Sequence, residues 1–130
     1  MDEIYVHEEF RIINTGTDGA VDRFEEILST IVGKNDIILA TLYYEKNRLL
    51  GDPETSYNYP LKFYTKTGTS IWLSNVTAGY DGTGPSGAVR ALKLAGFRFD
   101  ENEVIGARDI VDVKFVKEGY RDIKVFGLPF

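Results

Sequence analysis

A glycine-rich segment holds the residues of this chain best suited to bind a ligand. Residues 77–89 read TAGYDGTGPSGAV, between an apolar, strand-like run and an apolar, helix-like run. Backbone N–H groups converge on a phosphate where glycine permits positive φ and close approach, and a helix N-terminus adds partial positive charge. Hydroxyl and guanidinium groups would add donors, and a tyrosine could stack on a base or ring. The candidate ligand-binding residues are Gly79, Tyr80, Gly82, Thr83, Gly84, Ser86, Gly87 and Arg90.

The same segment departs from the standard nucleotide-binding motifs. A Walker loop requires Lys followed by Ser or Thr, and residues 77–89 contain no lysine. The Gly-x-Gly-x-x-Gly spacing fits residues 82–87, but no clean parallel strand with an acidic end follows about 20 residues later. Pro85 also removes one N–H group. Two alternatives therefore remain: a tight strand-to-helix connection with Ser86 as N-cap, and a loop that contacts a protein partner.

The remaining polar side chains give weaker support for a catalytic or metal site. His7 is the only histidine and the chain has no cysteine, whereas zinc sites usually collect several N or S ligands. Asp109 and Asp112 are three residues apart on a predicted strand, so they would point to opposite faces. The sequence thus predicts no catalytic residue, no metal and no cofactor. An enzyme built from scattered carboxylates and arginines is the least supported function.

Hydrophobic periodicity predicts the elements that position these residues. Apolar residues at helical spacing in DGAVDRFEEILSTIVG predict a first helix with Asp18 as its N-cap. A second helix is expected over about residues 86–95. Strand patterns lie at residues 3–13, in DIILATLYYE, in a hairpin at 61–66 and 70–78, and in a terminal hairpin turning at Glu118-Gly119. The fold class is therefore α+β: one domain over residues 1–130, with two helices packed on a mostly antiparallel or mixed sheet, in the order β-α-β-β-β-α-β-β.

The two predicted helices begin with similar sequences. Residues 15–21 read TGTDGAV and residues 83–89 read TGPSGAV, which agree at five of seven positions. A duplicated β-α-β-β unit would explain the similarity, and so would the ordinary preference for Thr, Gly, Asp and Ser where a loop becomes a helix. In length and element order, paired units of this kind resemble the glyoxalase and bleomycin-resistance family, which folds as two β-α-β-β-β units. That resemblance implies a fold alternative only, since no metal-ligand motif of the family is matched.

Composition and charge restrict the class of partner. The formal net charge is −5, from 15 basic and 20 acidic residues, which does not favour binding to long nucleic acid. No apolar run approaches the roughly 20 residues that span a bilayer, and the N-terminus does not resemble a secretory signal. We therefore expect a cytosolic protein that does not enter a membrane.

Two functions fit these features. In the first, the chain binds a phosphorylated small molecule, a nucleotide or nucleotide-derived signal, through the glycine-rich segment without turnover. Its role would then be sequestration, as in small viral counter-defence proteins. In the second, the chain is an acidic interaction module or inhibitor, such as a bacterial immunity protein, whose charge complements a basic protein partner. A homo-oligomer is a further expected assembly.

Overall fold

The computed structural model describes residues 2–13, 16–44, 47, 49–52, 54–106 and 110–127. It shows an α+β fold, which confirms the predicted class. The strands are β1 (Glu3–Val6), β2 (Glu8–Ile12), β3 (Ile37–Tyr43), β4 (Leu61–Thr65), β5 (Thr69–Leu73), β6 (Asp112–Val116) and β7 (Lys124–Gly127). The helices are α1 (Gly16–Thr30), α2 (Glu54–Asn58), α3 (Thr83–Leu94) and α4 (Asn102–Ile105), and a 3₁₀ turn spans Lys34–Asp36.

The main sheet is mixed, as predicted. Its five strands lie in the order β2-β5-β4-β3-β6. The β2–β5 pair is parallel, and the other three pairs are antiparallel. The predicted hairpin of β4 and β5 is confirmed, with Gly68 at positive φ in its turn.

The predicted terminal hairpin is wrong. Strand β6 pairs with β3 in the main sheet, and β7 pairs in parallel with β1 in a separate two-stranded sheet. The single strand predicted over residues 3–13 is likewise divided at His7, because β1 and β2 belong to these two different sheets. Alternating apolar residues indicate that a segment is a strand, but they carry no information about its partner.

Helices α1 and α3 cover one face of the main sheet. Helix α1 buries Phe24, which stacks on Phe63 of β4 at a ring-centroid distance of 4.4 Å. Large apolar side chains of this kind are the main source of the burial free energy that holds helices on a sheet. The opposite face is partly covered by the small sheet, which encloses a second core of Ile4, Val6, Ile38, Leu39, Tyr64 and Ile123.

Candidate functional site

The two long helices begin side by side at one edge of the main sheet. Strands β2 and β5 are parallel neighbours, with Ile12 opposite Leu73, so their carboxyl ends lie together. Helix α1 follows β2, and α3 follows β5 after the connection 74–82. The Thr17 hydroxyl donates a 2.6 Å hydrogen bond to the Asn75 carbonyl and so ties the two helix starts together. We call this region, residues 16–18 and 74–87, the helix-start edge.

The repeated sequences meet at this edge. Ala20 and Ala88, which occupy the same position of the repeat, are both fully buried in one core. In structure the repeat covers a strand, a loop and a helix in each copy: β2 with α1, and β5 with α3. It does not extend to the later strands, because β4 lies in the main sheet and β7 in the small one. Much of the TGxxGAV pattern therefore reflects how the two helices pack against each other.

Close packing accounts for two of the four glycines in the segment. A Cβ atom at Gly87 would collide with the Thr17 methyl group and would lie 3.3 Å from Val76. A Cβ at Gly84 would collide with the Thr77 hydroxyl. Both positions favour glycine because a neighbouring side chain occupies the space that a Cβ would need.

The other two glycines shape the connection before α3. Gly79 has a φ of +96°, and its N–H donates a 2.7 Å hydrogen bond to the Val104 carbonyl. Gly82 is extended, and a Cβ there would lie 2.9 Å from the Tyr80 ring. The glycine content of the segment thus has a structural explanation at each position, whether or not a ligand binds.

Tyr80 lies across the start of α3. Its hydroxyl is 2.8 Å from the Thr77 hydroxyl, and its ring borders the space beside Gly82 and Gly84. The side chain is still 37% exposed. A ligand at the start of α3 would therefore contact this ring or displace it.

Helix α3 begins earlier than its sequence predicts. Gly82 is the N-cap and Thr83 the first helical residue, so Ser86, the predicted N-cap, lies inside the helix. The reason is Pro85, whose missing N–H is tolerated in a first helical turn. Asp18 is likewise in the first turn of α1 and is not its N-cap, because that helix begins at Gly16.

The start of α3 presents hydrogen-bond donors to solvent. The first N–H groups of any helix lack acceptors within it, and Gly82 provides no side-chain cap. Thr83 and Ser86 are exposed, and their hydroxyls make no side-chain hydrogen bond to the described residues. The first turn of α3 contains no acidic residue. Together these groups form an uncapped, positively polarised helix end.

Arg90 pairs with a carboxylate in the first turn of α1. Its Nη2 lies 2.6 Å from Asp18 Oδ1, across the interface between α3 and α1. It also lines a groove of about 400 Å³ between the two helices, together with Val21, Asp22, Glu25, Lys93 and Leu94. The structure therefore brings Gly79 to Gly87 together and places Arg90 one turn further along α3, paired with a carboxylate.

The sequence does not predict a second polar cluster, on the opposite face of the main sheet. Arg11, Lys62 and Trp72 lie side by side there, on strands β2, β4 and β5. Burial and, to a lesser extent, the positive charge of Arg11 lower the pKa of Lys62, while Glu9 raises it, and the net result is a pKa of about 8. The only signal for this cluster was a lysine in the otherwise apolar strand LKFYT.

The weaker site candidates do not converge. His7 Nε2 is 2.9 Å from the Thr67 carbonyl, beside the β4–β5 turn. Within the described ranges, no three His, Asp or Glu side chains are placed to hold a metal ion. Asp109, the partner considered for Asp112, lies outside the described residues.

None of the helices in the described ranges has the length and apolar character needed to cross a bilayer.

Comparisons with known proteins do not place this chain in a family. The chain matches no family model, no curated protein and no solved structure. The fold and the helix-start edge themselves are therefore the basis for a function.

Proposed function

We propose that this protein binds a phosphorylated small molecule, a nucleotide or nucleotide-derived signal, at the helix-start edge and does not convert it. The observation that carries the proposal is the position of the two helix starts, side by side beyond the carboxyl ends of the parallel strands β2 and β5. In open α/β sheets, ligands bind outside the carboxyl ends of the strands at a topological switch point; here the β2–β5 pair supplies such carboxyl ends, while α1 and α3 both lie on one face of the sheet. Each helix start adds partial positive charge, which favours an anion.

The groups at this edge suit a phosphate and a ring. The N–H groups of Thr83 and Gly84 and the hydroxyls of Thr83 and Ser86 are donors that a phosphate can accept from. Asp18 is the nearest carboxylate on α1, and its pairing with Arg90 reduces its repulsion of an anion. Exposed Asp81 remains as an opposing charge in the connection.

Tyr80 gives the proposed site its second component. Its exposed ring lies beside Gly82 and Gly84 and so is available to stack on a base attached to the phosphate. Stacking of a base on an aromatic side chain contributes about 1–3 kcal/mol. Replacing Tyr80 by Ala should therefore weaken binding of a nucleotide more than binding of inorganic phosphate.

A melting screen tests the proposal. Inorganic phosphate, pyrophosphate, mononucleotides and cyclic dinucleotides are added to the protein, and the shift of the unfolding transition is measured. A probe at 100 times its Kd stabilises the fold by about 2.7 kcal/mol. Thr83→Val with Ser86→Ala should reduce the shift, and Ser29→Ala, at the far end of α1, serves as the matched control. Gly84→Val is unsuitable, because its side chain would collide with Thr77.

Two results would contradict this proposal. If no phosphate-bearing probe shifts the transition, the helix-start edge does not bind this class of ligand. If mass spectrometry shows that a bound nucleotide is altered after incubation, binding without turnover is wrong.

A second candidate function is binding of a basic protein by the outer face of α1. Asp22, Glu25 and Glu26 are exposed on this face. Complementary charge of this kind raises association rates and restricts the choice of partner. Asp22→Lys with Glu25→Lys should abolish capture of a basic partner at low salt, and equal capture by wild type and variant would exclude this surface.

A further inference from the structure

A lysine is buried in a row of side chains across the face of the main sheet that is opposite α1 and α3. In the strand register Arg11 is opposite Trp72, Trp72 is opposite Lys62, and Lys62 is opposite Thr41. Successive residues of a strand point to opposite faces, and the neighbouring Phe63 stacks on Phe24 of α1. Lys62 therefore points away from the helices, and it is only 9% exposed.

The ammonium group of Lys62 lies beside another cation. Its Nζ is 4.3 Å from the centroid of the Trp72 ring, and Arg11 Cζ is 4.7 Å from the same ring. Arg11 has a counter-ion, because its Nε lies 2.8 Å from Glu9 Oε2. No carboxylate of the described residues forms an ion pair with Lys62. A buried ammonium next to an arginine and without its own counter-ion loses its proton more easily than an exposed one.

A small cavity adjoins this lysine. Its volume is about 40 Å³, which is room for a molecule of very few heavy atoms. The residues that line it include Lys62, residues that carry hydroxyl groups and one residue that carries a carboxylate. The lining residues are Thr41, Leu42, Tyr43, Ser56, Tyr59, Pro60, Lys62 and Asp112.

We propose that Lys62 is a nucleophilic amine that condenses with small carbonyl compounds in this cavity. The neutral Nζ forms a bond to the carbonyl carbon as the C=O π bond breaks, and a proton moves from the nitrogen to the resulting alkoxide to give a carbinolamine. A second proton then goes to the hydroxyl, the C–O bond breaks, water leaves, and the iminium loses its remaining N–H proton to give an imine. Asp112, which also lines the cavity, is the carboxylate available to carry these protons.

The surroundings of Lys62 set its protonation. Arg11 lowers its pKa, and Glu9 on the same strand raises it. The other titratable groups on this face, among the described residues, include Tyr43, Tyr59, Tyr64, Asp112 and Lys114. Activation of lysines by desolvation and a neighbouring cation is a recurrent way to prepare an amine for attack on a carbonyl. The proposal does not depend on the helix-start edge, which lies on the other side of the sheet.

Site-resolved reductive methylation tests the proposal. The intact protein is treated with formaldehyde and cyanoborohydride at a series of pH values, and mass spectrometry gives the labelling rate of each lysine. At pH 7 an amine with a pKa of about 8 is neutral roughly 200 times more often than one at the ordinary value. We expect Lys62 to be labelled at least about tenfold faster than exposed Lys66 and Lys124, with a rate that reaches half its maximum near pH 8. Labelling of Lys62 that is no faster than that of these references would overturn the proposal.

A second variant tests the cause of the activation. Arg11→Met removes the neighbouring cation, which lowers the pKa of Lys62, and leaves the negative charge of Glu9, which raises it, so the midpoint for labelling of Lys62 should move to higher pH. Arg23→Met, which removes an arginine paired with Glu26 on the outer side of α1, is the matched control and should not move it. An unchanged midpoint in Arg11→Met would overturn activation of Lys62 by this cluster.

Discussion

The contact between Gly87 of α3 and Thr17 of α1 makes a sharp test of how the helix-start edge is built. Gly87→Ala adds a methyl group that would collide with the Thr17 methyl, and overpacking of this kind costs about 1–3 kcal/mol. Ala is more favourable than Gly inside a helix by about 1 kcal/mol. The net expectation is a destabilisation of up to about 2 kcal/mol.

A second substitution should reverse this loss. Thr17→Ser removes the methyl group and keeps the hydroxyl that donates to the Asn75 carbonyl. In that background Gly87→Ala should be neutral or stabilising, which corresponds to a coupling of about 1–3 kcal/mol between the two sites. Thr17→Val keeps the methyl group and loses the hydroxyl, so it should not rescue Gly87→Ala.

Equilibrium unfolding in urea, followed by the fluorescence of the single tryptophan, Trp72, measures all of these variants. The reasoning is refuted if the effects of Thr17→Ser and Gly87→Ala add to within about 0.5 kcal/mol. Rescue by Thr17→Val would also refute it, because the collision would then not involve the methyl group.

The remaining predictions concern the charged side chains. Between pH 8 and 10.5 the unfolded chain binds more protons at Lys62 than the folded chain, so the free energy of unfolding should rise with pH across this window. Lys62→Met should accordingly stabilise the protein at pH 7 by about 1–3 kcal/mol. Urea unfolding should show that this difference between the variant and the wild type decreases above pH 8, and a difference that stays constant there would contradict the reasoning. The Asp18–Arg90 pair is exposed, so a double-mutant cycle should give a coupling of about 0.2–1 kcal/mol that falls with added salt. A coupling independent of salt would show that the two residues interact through packing.

Local patterns predict the main elements of this fold. The amphipathic spacing of α1 and the apolar strands β4 and β5 with Gly68 between them are recognisable because neighbouring residues determine them. The pairing of β7 with β1 is not recognisable, because it joins the two ends of the described chain. The start of α3 at Thr83 is not recognisable either, because Ser86 is an equally acceptable N-cap in sequence terms.

The candidate site was predictable to a similar extent. The glycine-rich segment does lie at a helix start, as its sequence indicates. The pairing of Arg90 with Asp18 could not be inferred, because it depends on α1 and α3 beginning side by side. The Lys62 cluster depends on the register of three strands, and that register is fixed by tertiary packing.

Amide NMR of the protein titrated with pyrophosphate and then with the nucleotide most active in the melting screen tests the binding proposal most directly. The proposal predicts saturable shifts that are largest at the N–H groups of Gly82, Thr83, Gly84 and Thr17. It also predicts shifts of the Tyr80 ring with the nucleotide that pyrophosphate does not produce. Saturable shifts confined to another region, or no saturable shifts at all, would contradict a phosphate site at the helix-start edge.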